Sequence, residues 1–380
     1  MPLADAFGRI VACDVHAPAD VPGFVNSAMD GFAVRAADLP AIGAQSLRLI
    51  GEIFAGGNEP PTVSAGTCVR ITTGAPLPPG ADTVVMKENT RIHGETVEFD
   101  AGTAAGANVR AAGEDYRAGD LALRHGTRLT PAGVSVLASF GMTHADVVAK
   151  PRAVLLTTGD ELHAPGKPLR FGGIYDSNRY SLGGLLEQHG AALLRHERVP
   201  DVPERLRTAL LRAGDDADLI LSSGGVSAGE ADFLPRLIGE AGEVYLWKVR
   251  IRPGMPFLFG RVGKALVFAL PGNPVSGIAT FLTLVKPALD AMCRARVAPS
   301  ALRARLKQPV HKRHTRAEFQ RATLECDANG NLWATPHAKQ GSGMLRGVAE
   351  ADALVLLPED AHEFAIGTVV DVVPLPGWPR

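Results

Sequence analysis

The chain has 380 residues, which is long enough for two to four domains with sizeable cores. Its 39 Lys and Arg residues nearly balance its 40 Asp and Glu residues, and the resulting net charge of −1 argues against general binding of DNA or RNA. Hydrophobic residues make up 46% and charged residues 21%, as in folded globular proteins, so the composition argues against disorder.

The four cysteines are too far apart to form a CxxC pair, which argues against a zinc knuckle or a disulfide framework and favours a reducing cytoplasm. Residues 1–21 lack the basic region and the long apolar core of a signal peptide. The most apolar helical segment, Val275 to Met292, is interrupted by Lys286 and Pro287. No membrane crossing is therefore predicted.

The first part of the chain predicts a small β-rich region. Short apolar runs such as Leu47 to Ile53 alternate with Gly and Pro turns at strand-like spacing up to about residue 120. A helix is then predicted, with Thr130 as its N-cap, Pro131 as its first residue and Gly141 as its end. We expect this helix to pack against the N-terminal segment.

From Pro151 onward the sequence alternates between strands and helices, which predicts βαβ units on a parallel sheet. The predicted strands are Ala153 to Leu156, Ala192 to Val199, Asp218 to Leu221 and Glu243 to Val249, and the predicted helices are Ser177 to Gln188, Pro203 to Ala213 and Val275 to Cys293. A hairpin is predicted from Phe257 to Leu270. Residues 298–380 return to a β pattern, which predicts a small barrel or sandwich.

Acidic residues follow the strand ends at which ligands bind in open α/β sheets. They are Asp160, Glu161, Asp201, Glu230 and Asp232. Several carboxylates on one rim repel each other unless a cation such as Mg²⁺ neutralises them. The pattern predicts a metal-assisted phosphate site, and the alternative is that each carboxylate only stabilises a helix N-terminus.

Two loops are candidate phosphate cradles. Ser222 to Glu230 follows a buried strand, and its glycines and serines suit a close backbone approach to phosphate, although it is neither a dinucleotide-binding motif nor a P-loop. Pro271 to Ser276 leads into a helix whose free N–H groups suit an anion. The alternatives are a plain strand-to-helix turn for the first loop and a capped, buried helix for the second.

Three cations, Lys248, Arg250 and Arg252, alternate along one predicted strand and are expected to share a face. Such a row would attract an anion, and the alternative is an edge strand protected by charge. The histidines form no HExxH motif and do not pair with a GxSxG motif, so the sequence gives no support for a zinc protease or a serine hydrolase.

Eight ordered motifs lie along almost the whole chain. They are NSAMDGFA (26–33), RITTGAPLPPGAD (70–82), NVRAAGED (108–115), TGDEL (158–162), IYDSNR (174–179), SSGGVSAGEAD (222–232), PGNPVS (271–276) and GSGML (341–345). Together they resemble the molybdopterin molybdenumtransferase family, whose relatives include the carboxy-terminal domain of gephyrin.

The resemblance implies a multidomain fold of α/β and β domains. The implied parts are a discontinuous linking domain (1–20 and 118–150), a β-rich domain (21–117), a central three-layer α/β molybdopterin-binding domain (151–297) and a C-terminal β-barrel (298–380). It also implies a cytoplasmic homodimer. Molybdoenzymes or other proteins of the cofactor pathway are further candidate partners, whereas nucleic acid and membrane are not expected.

The implied activity is the last step of molybdenum-cofactor synthesis: adenylylated molybdopterin and molybdate give molybdenum cofactor and AMP, with Mg²⁺ assisting cleavage of the pyrophosphate link. The implied catalytic residues are Asp30, Glu161, Asp201, Ser227 and Asp232, with Glu161 and Asp232 as metal ligands. The implied substrate-binding residues are Thr73, Arg110, Asp115, Ser223, Gly224, Gly225, Lys248, Arg252, Pro271, Asn273, Pro274, Ser276, Arg316, Arg321 and Ser342.

Two positions depart from the family pattern. Val25 stands where the family usually has aspartate, and Met255 stands where it usually has lysine. Losing that cation would cost about 1–3 kcal/mol of oxyanion binding unless Arg250 or Arg252 compensates. Two other functions stay open, a catalytically weak pterin-binding scaffold and a molybdopterin adenylyltransferase. The adenylyltransferase shares the central α/β domain, but the β-rich domain and the barrel argue against it.

Overall fold

The structure is a computed structural model that describes residues 1–57, 59–226, 233–296 and 302–378. Internal contacts divide the chain into two compact units. The first unit comprises Met1–Phe7 and Val11–Val147, and the second comprises Gly8–Ile10 and Val148–Arg380.

The first unit is built mainly from short strands. Its strands are β1 (Val15–His16), β2 (Asn26–Ser27), β3 (Gly31–Val34), β4 (Ala44–Ile53), β5 (Thr67–Ile71), β6 (Thr83–Met86), β7 (Thr90–His93), β8 (Thr96–Asp100), β9 (Val109–Arg110) and β10 (Leu121–Leu123), and its α-helix is α1 (Pro131–Ser139). Six of them form a sheet in the order β6-β3-β5-β4-β8-β7, while β1 pairs with β10 and β2 with β9. The predicted β-rich region is confirmed.

Helix α1 begins where the sequence predicts. The Thr130 hydroxyl accepts a hydrogen bond from the Gly133 N–H at 3.2 Å, which satisfies one of the free donors of the first turn. Leu137 of α1 is buried in one core with Ala6 and Val11. The helix therefore packs against the N-terminal segment, as expected.

The second unit holds the remaining elements. Its strands are β11 (Arg152–Thr158), β12 (Leu162–His163), β13 (Ile174–Tyr175), β14 (Ala192–Val199), β15 (Leu219–Ser223), β16 (Gly242–Trp247), β17 (Ile251–Arg252), β18 (Leu258–Val262), β19 (Ala265–Leu270), β20 (Leu302–Leu306), β21 (Val310–His311), β22 (Ala317–Cys326), β23 (Leu332–Pro336), β24 (Ala353–Leu357), β25 (Glu363–Phe364) and β26 (Val369–Pro374). Its helices are α2 (Asn178–Gln188), α3 (Pro203–Asp216), α4 (Leu234–Ala241), α5 (Pro274–Thr280), α6 (Lys286–Met292) and α7 (Leu345–Ala349).

A six-stranded sheet in the order β14-β11-β15-β19-β18-β16 forms the α/β part of this unit. Successive residues of β11 enter opposite cores, since Leu155 packs with Leu182 of α2 on one face and Leu156 packs with Leu206 of α3 on the other. Strands β14, β11, β15 and β19 are mutually parallel. The sheet is thus covered by helices on both faces, which confirms the predicted three-layer arrangement.

The strand predicted at Glu243 to Val249 does not extend the parallel sheet. It forms β16, which runs antiparallel to β18 at the sheet edge. The reason is that the hairpin β18–β19 places β19 beside β15, so the edge that remains open for β16 belongs to the antiparallel strand β18.

Helices α5 and α6 are joined by a π-helical turn, Phe281–Val285, and together form the predicted long helix. The wider turn precedes Pro287, which has no N–H to close an α-helical hydrogen bond. The stretch Pro274–Met292 is long and apolar enough to cross a membrane, but Phe281 and Leu289 are buried in the core against the sheet. It is a core helix of this unit.

Five strands near the C-terminus form a closed barrel. Their neighbours run β22-β23-β20-β26-β24, and β24 pairs back to β22. The short strand β17 adds to β22 in parallel from the preceding segment. The barrel confirms the predicted fold class, whereas the finer domain boundaries stay a prediction.

Candidate functional site

Three cavities adjoin each other in the second unit, with volumes of about 540, 410 and 300 Å³. Asn273 lines all three, and Pro271 and Gly272 each line two. The loop ahead of α5 is therefore the common wall of the whole site.

The smallest of these cavities lies at a glycine turn. Gly224 and Gly225 line it directly after β15. Gly224 has φ +97°, and a Cβ there would lie 2.5 Å from the Thr158 carbonyl oxygen, so the turn requires glycine. The Thr158 hydroxyl is buried and has no hydrogen-bond partner among the described residues. This local geometry suits a phosphate group that brings its own acceptor oxygens.

Two of the predicted rim carboxylates, Glu161 and Asp201, line the same 300 Å³ cavity. They follow β11 and β14, which are parallel neighbours, so their carboxyl ends reach one edge of the sheet. The Asp201 N–H donates to the Asp160 carboxylate at 3.2 Å. The predicted residues Ser227, Glu230 and Asp232 lie outside the described residues.

The cavity of about 410 Å³ is the cationic one. Arg252 and Arg316 line it, together with the acid Glu318. Glu318 lies 3.8 Å from the Arg252 guanidinium and 3.3 Å from His314. Burial lowers the pKa of His314, so this imidazole is neutral at neutral pH. The two guanidinium groups therefore outweigh the single carboxylate, and the cavity favours an anion.

Several predicted substrate residues line these cavities. In the 410 Å³ cavity they are Arg252, Pro271, Asn273, Ser276, Arg316 and Ser342, and in the 540 Å³ cavity they are Glu161, Ser223, Asn273 and Pro274. Met255 also lines the 410 Å³ cavity, 41% exposed, with its sulfur 3.5 Å from Nη1 of Arg316. The thioether therefore stands beside one of the cations of the cavity.

The predicted row of cations on one strand face is wrong. Lys248 has φ +65°, which interrupts the extended backbone between β16 and β17, and these two strands belong to different sheets. The Lys248 ammonium lies over the Trp247 ring at 4.7 Å and is not among the described residues that line the cavities. Arg250 pairs with Glu359 at 3.2 Å.

Arg321 lies behind the cavity wall instead of in it, which corrects its implied place in the oxyanion site. It is 1% exposed, and burial lowers its pKa. Its guanidinium donates to the carbonyls of Lys339 and Met344, both at 2.9 Å, and to the Gln340 side chain at 3.2 Å. These bonds fix the loop that carries Ser342, whose hydroxyl accepts from Asn273 at 3.1 Å.

In the first unit, Asp30 is held by its neighbours. It accepts from both the N–H and the hydroxyl of Thr73 at 2.9 Å, and Lys87 approaches it to 3.5 Å. These hydrogen bonds lower the pKa of Asp30, so it is ionised at neutral pH. Arg110 and Asp115 line a separate cavity of about 490 Å³ in the same unit.

Four polar residues in or beside the cavity of about 540 Å³ were missed as site residues. Thr157, Asp176 and Asn178 line the cavity, and His196 bonds to Thr157 at 2.9 Å. Asp176 and Asn178 belong to the motif IYDSNR, so the signal was present. Thr157 and His196 lie within strands that read as ordinary core, and only the strand pairing brings them together.

A sheet covered by helices on both faces, a closed five-stranded barrel and adjoining cavities at the strand ends define a multidomain α/β protein with a candidate ligand site. Three family models cover most of the chain: MoeA N-terminal region (domain I and II) at residues 1–141, probable molybdopterin binding domain at 154–291, and MoeA C-terminal region (domain IV) at 303–375. The chain belongs to the molybdopterin molybdenumtransferase family.

Individual relatives are similar to this chain over nearly its whole length. A molybdopterin molybdenumtransferase from Haemophilus influenzae is 35% identical over 375 residues, covering 98% of this chain and 92% of the relative. Molybdopterin molybdenumtransferase 2 from Mycobacterium tuberculosis is 36% identical over 387 residues, covering 98% and 94%. The molybdopterin biosynthesis moeA protein from Pyrococcus horikoshii OT3 superposes with a TM-score of 0.86 at 30% identity, covering 99% and 94% of the two chains.

These comparisons confirm the predicted family, the transferase class and a role in molybdenum insertion during cofactor synthesis.

Proposed function

We propose that this chain transfers molybdenum from molybdate into adenylylated molybdopterin and releases AMP. The observation that carries the proposal is the shared wall formed by the loop at Asn273. On one side of it lie the glycine turn and two carboxylates, and on the other lies the cationic cavity. A phosphate-linked substrate and an oxyanion would thereby be held next to each other, which favours their reaction.

Each part of the wall has its own chemical task. The Gly224-Gly225 turn and the Thr158 hydroxyl, which has no partner among the described residues, would bind phosphate oxygens. Arg252 and Arg316 would hold molybdate by charge-assisted hydrogen bonds. In this arrangement the chain orients both substrates, and the cationic cavity is lined by neither Glu161 nor Asp201, while its own carboxylate, Glu318, lies 3.8 Å from Arg252.

We also propose that Glu161 and Asp232 hold Mg²⁺, as the resemblance implies. Glu161 lines the cavity at the glycine turn, Asp232 lies outside the described residues, and Mg²⁺ is commonly bound by one or two carboxylates together with substrate phosphates. Among the described residues, no group of three or more His, Cys, Asp or Glu side chains is placed to hold a metal ion. When bound, the ion would offset the negative charge that develops on the pyrophosphate oxygens.

Replacing Glu161 tests this proposal. We expect Glu161→Gln to lower Mg²⁺-dependent AMP release by about a hundredfold or more, because a metal-binding charge is lost. The control is Glu187→Gln, which makes the same chemical change on an exposed position of α2 away from the cavities. Undiminished AMP release from Glu161→Gln at limiting Mg²⁺ would refute the metal assignment.

We further propose a homodimer, as the resemblance implies, located in the cytoplasm, as the cysteine pattern favours. Light scattering of the purified full chain tests the dimer, and a monomer at micromolar concentration would argue against it.

A further inference from the structure

Asn178 carries an unused acceptor in the wall of the 540 Å³ cavity. Its side-chain nitrogen donates to the Gly272 carbonyl at 2.7 Å and to the Ser223 hydroxyl at 2.8 Å. A carbonyl only accepts, so the amide nitrogen must face Gly272, and this fixes the orientation of the amide. Its oxygen is then left buried without a hydrogen-bond partner among the described residues. Asn178 as a whole is only 9% exposed.

A chain of hydrogen bonds holds this part of the cavity in place. The Thr157 hydroxyl donates to Asp176 at 2.7 Å and lies 2.9 Å from Nε2 of His196. Because a hydroxyl has one proton and gives it to the carboxylate, Nε2 of His196 must be the donor to Thr157. The other oxygen of Asp176 accepts from the Arg179 N–H at 3.0 Å, which anchors the first turn of α2. Asn178 begins that turn.

The ionised state of Asp176 supports this series of hydrogen bonds, in which His196 donates to Thr157 and Thr157 donates to Asp176. Burial alone would raise the pKa of Asp176, but the nearby His196 imidazole and the hydrogen bonds from Thr157 and the Arg179 N–H outweigh it, and the pKa is lowered. The carboxylate thus accepts at both oxygens. Asn178 is consequently held rigidly, so its free oxygen points to a bound group and not to a rearrangement of the side chain.

The lining of the 540 Å³ cavity indicates which end of the substrate it takes. Its described residues include the acids Glu161 and Asp176 but no Lys or Arg, whereas the adjoining 410 Å³ cavity has two arginines. An acceptor-rich cavity without cations suits an uncharged ring that presents N–H donors. The pterin ring has an amino group and a ring N–H on one edge, while adenine offers only its amino group.

We propose that Asn178 is a specificity-determining residue that accepts a hydrogen bond from the N–H edge of the pterin ring. This assignment rests on the proposed function and adds the orientation of the substrate. The pterin lies against α2, and its phosphate side is directed to the glycine turn after β15.

The test measures equilibrium binding of two probes, molybdopterin and AMP, to the full chain. Asn178→Ala removes the acceptor and both donors, whereas Asn178→Asp removes both donors, keeps an acceptor and adds a negative charge that also attracts N–H donors. Binding retained by the aspartate variant alone therefore identifies the acceptor. We expect Asn178→Ala to weaken molybdopterin binding about tenfold and AMP binding less than about threefold. Asn178→Asp should retain molybdopterin affinity within about threefold.

Three outcomes would overturn the assignment: equal losses for both probes, a loss confined to AMP, or no loss for Asn178→Ala. If the variants have a lower melting temperature than wild type, the test uses the wild-type chain and two ligands. These are 6-hydroxymethylpterin and the same pterin methylated at N3 and at the 2-amino group. Equal affinity for the two ligands would refute the contact. Failure of wild type to bind molybdopterin at all would instead refute the proposed function.

Discussion

Arg321→Met removes the cation that ties the barrel to the loop bearing Ser342. Methionine approximates the length of the arginine stem and donates no hydrogen bonds, so all three guanidinium bonds are lost. The Met344 carbonyl keeps the Gly347 N–H as a donor, and the Gln340 oxygen keeps the backbone N–H of position 321. Each bond from a charged donor is worth about 1.5–3 kcal/mol. The variant also avoids the desolvation cost of a buried charge, which offsets several kcal/mol of this loss. We therefore expect a net local loss of about 2–4 kcal/mol.

Amide hydrogen exchange measures this loss where it occurs. The Val275 N–H donates to the Ser342 carbonyl, and the Gly347 N–H donates to Met344, so both report on the loop. A local loss of about 2–4 kcal/mol predicts exchange about 30- to 1,000-fold faster at these amides. The Thr130–Gly133 cap in the other unit serves as an internal control. Unchanged exchange at Val275 and Gly347 would refute the positioning role.

Three further predictions follow from individual side chains. Met255→Lys should tighten molybdate binding about tenfold at low salt, with the gain shrinking as salt is added, and calorimetry showing unchanged affinity with a lower melting temperature would contradict it. Asp176→Asn should cost about 1–3 kcal/mol of stability above about pH 4. Because the pKa of Asp176 is lowered, urea titrations of variant and wild type should converge as the pH falls through it. Iodoacetamide at pH 8 should label the exposed Cys13 and Cys326 but not Cys68, whose pKa burial raises to about 12, as mass spectrometry would check; labelling of native Cys68 would refute this.

Much of the α/β layer was predictable because its signals are local. The apolar run that becomes β11 is buried on both faces, and a strand covered by helices on both sides must read as continuously apolar. The Thr130 cap and the turn at Gly224 likewise depend on side-chain chemistry within a few residues. The convergence of Glu161 and Asp201 followed from a general rule, that parallel neighbours end at the same edge.

The errors arose where distant pairing overrides local spacing. Lys248 and Arg252 share a strand face only if the backbone between them stays extended, and φ +65° at Lys248 breaks that condition. The cause lies elsewhere in the chain, since β16 pairs with β18 while β17 pairs with β22 of the barrel. Alternating charges therefore predicted a common face that no single strand provides.

The same reasoning explains why Asn178 escaped notice and why it matters. Its amide is oriented by Gly272, 94 positions away, so no window of sequence contains both the donor and its acceptor. That one long-range bond also links α2 to the loop shared by all three cavities, because Gly272 is the neighbour of Asn273. A change that loosens Asn178 should thus disturb the boundary between the acceptor-rich and cationic cavities as well as the proposed pterin contact.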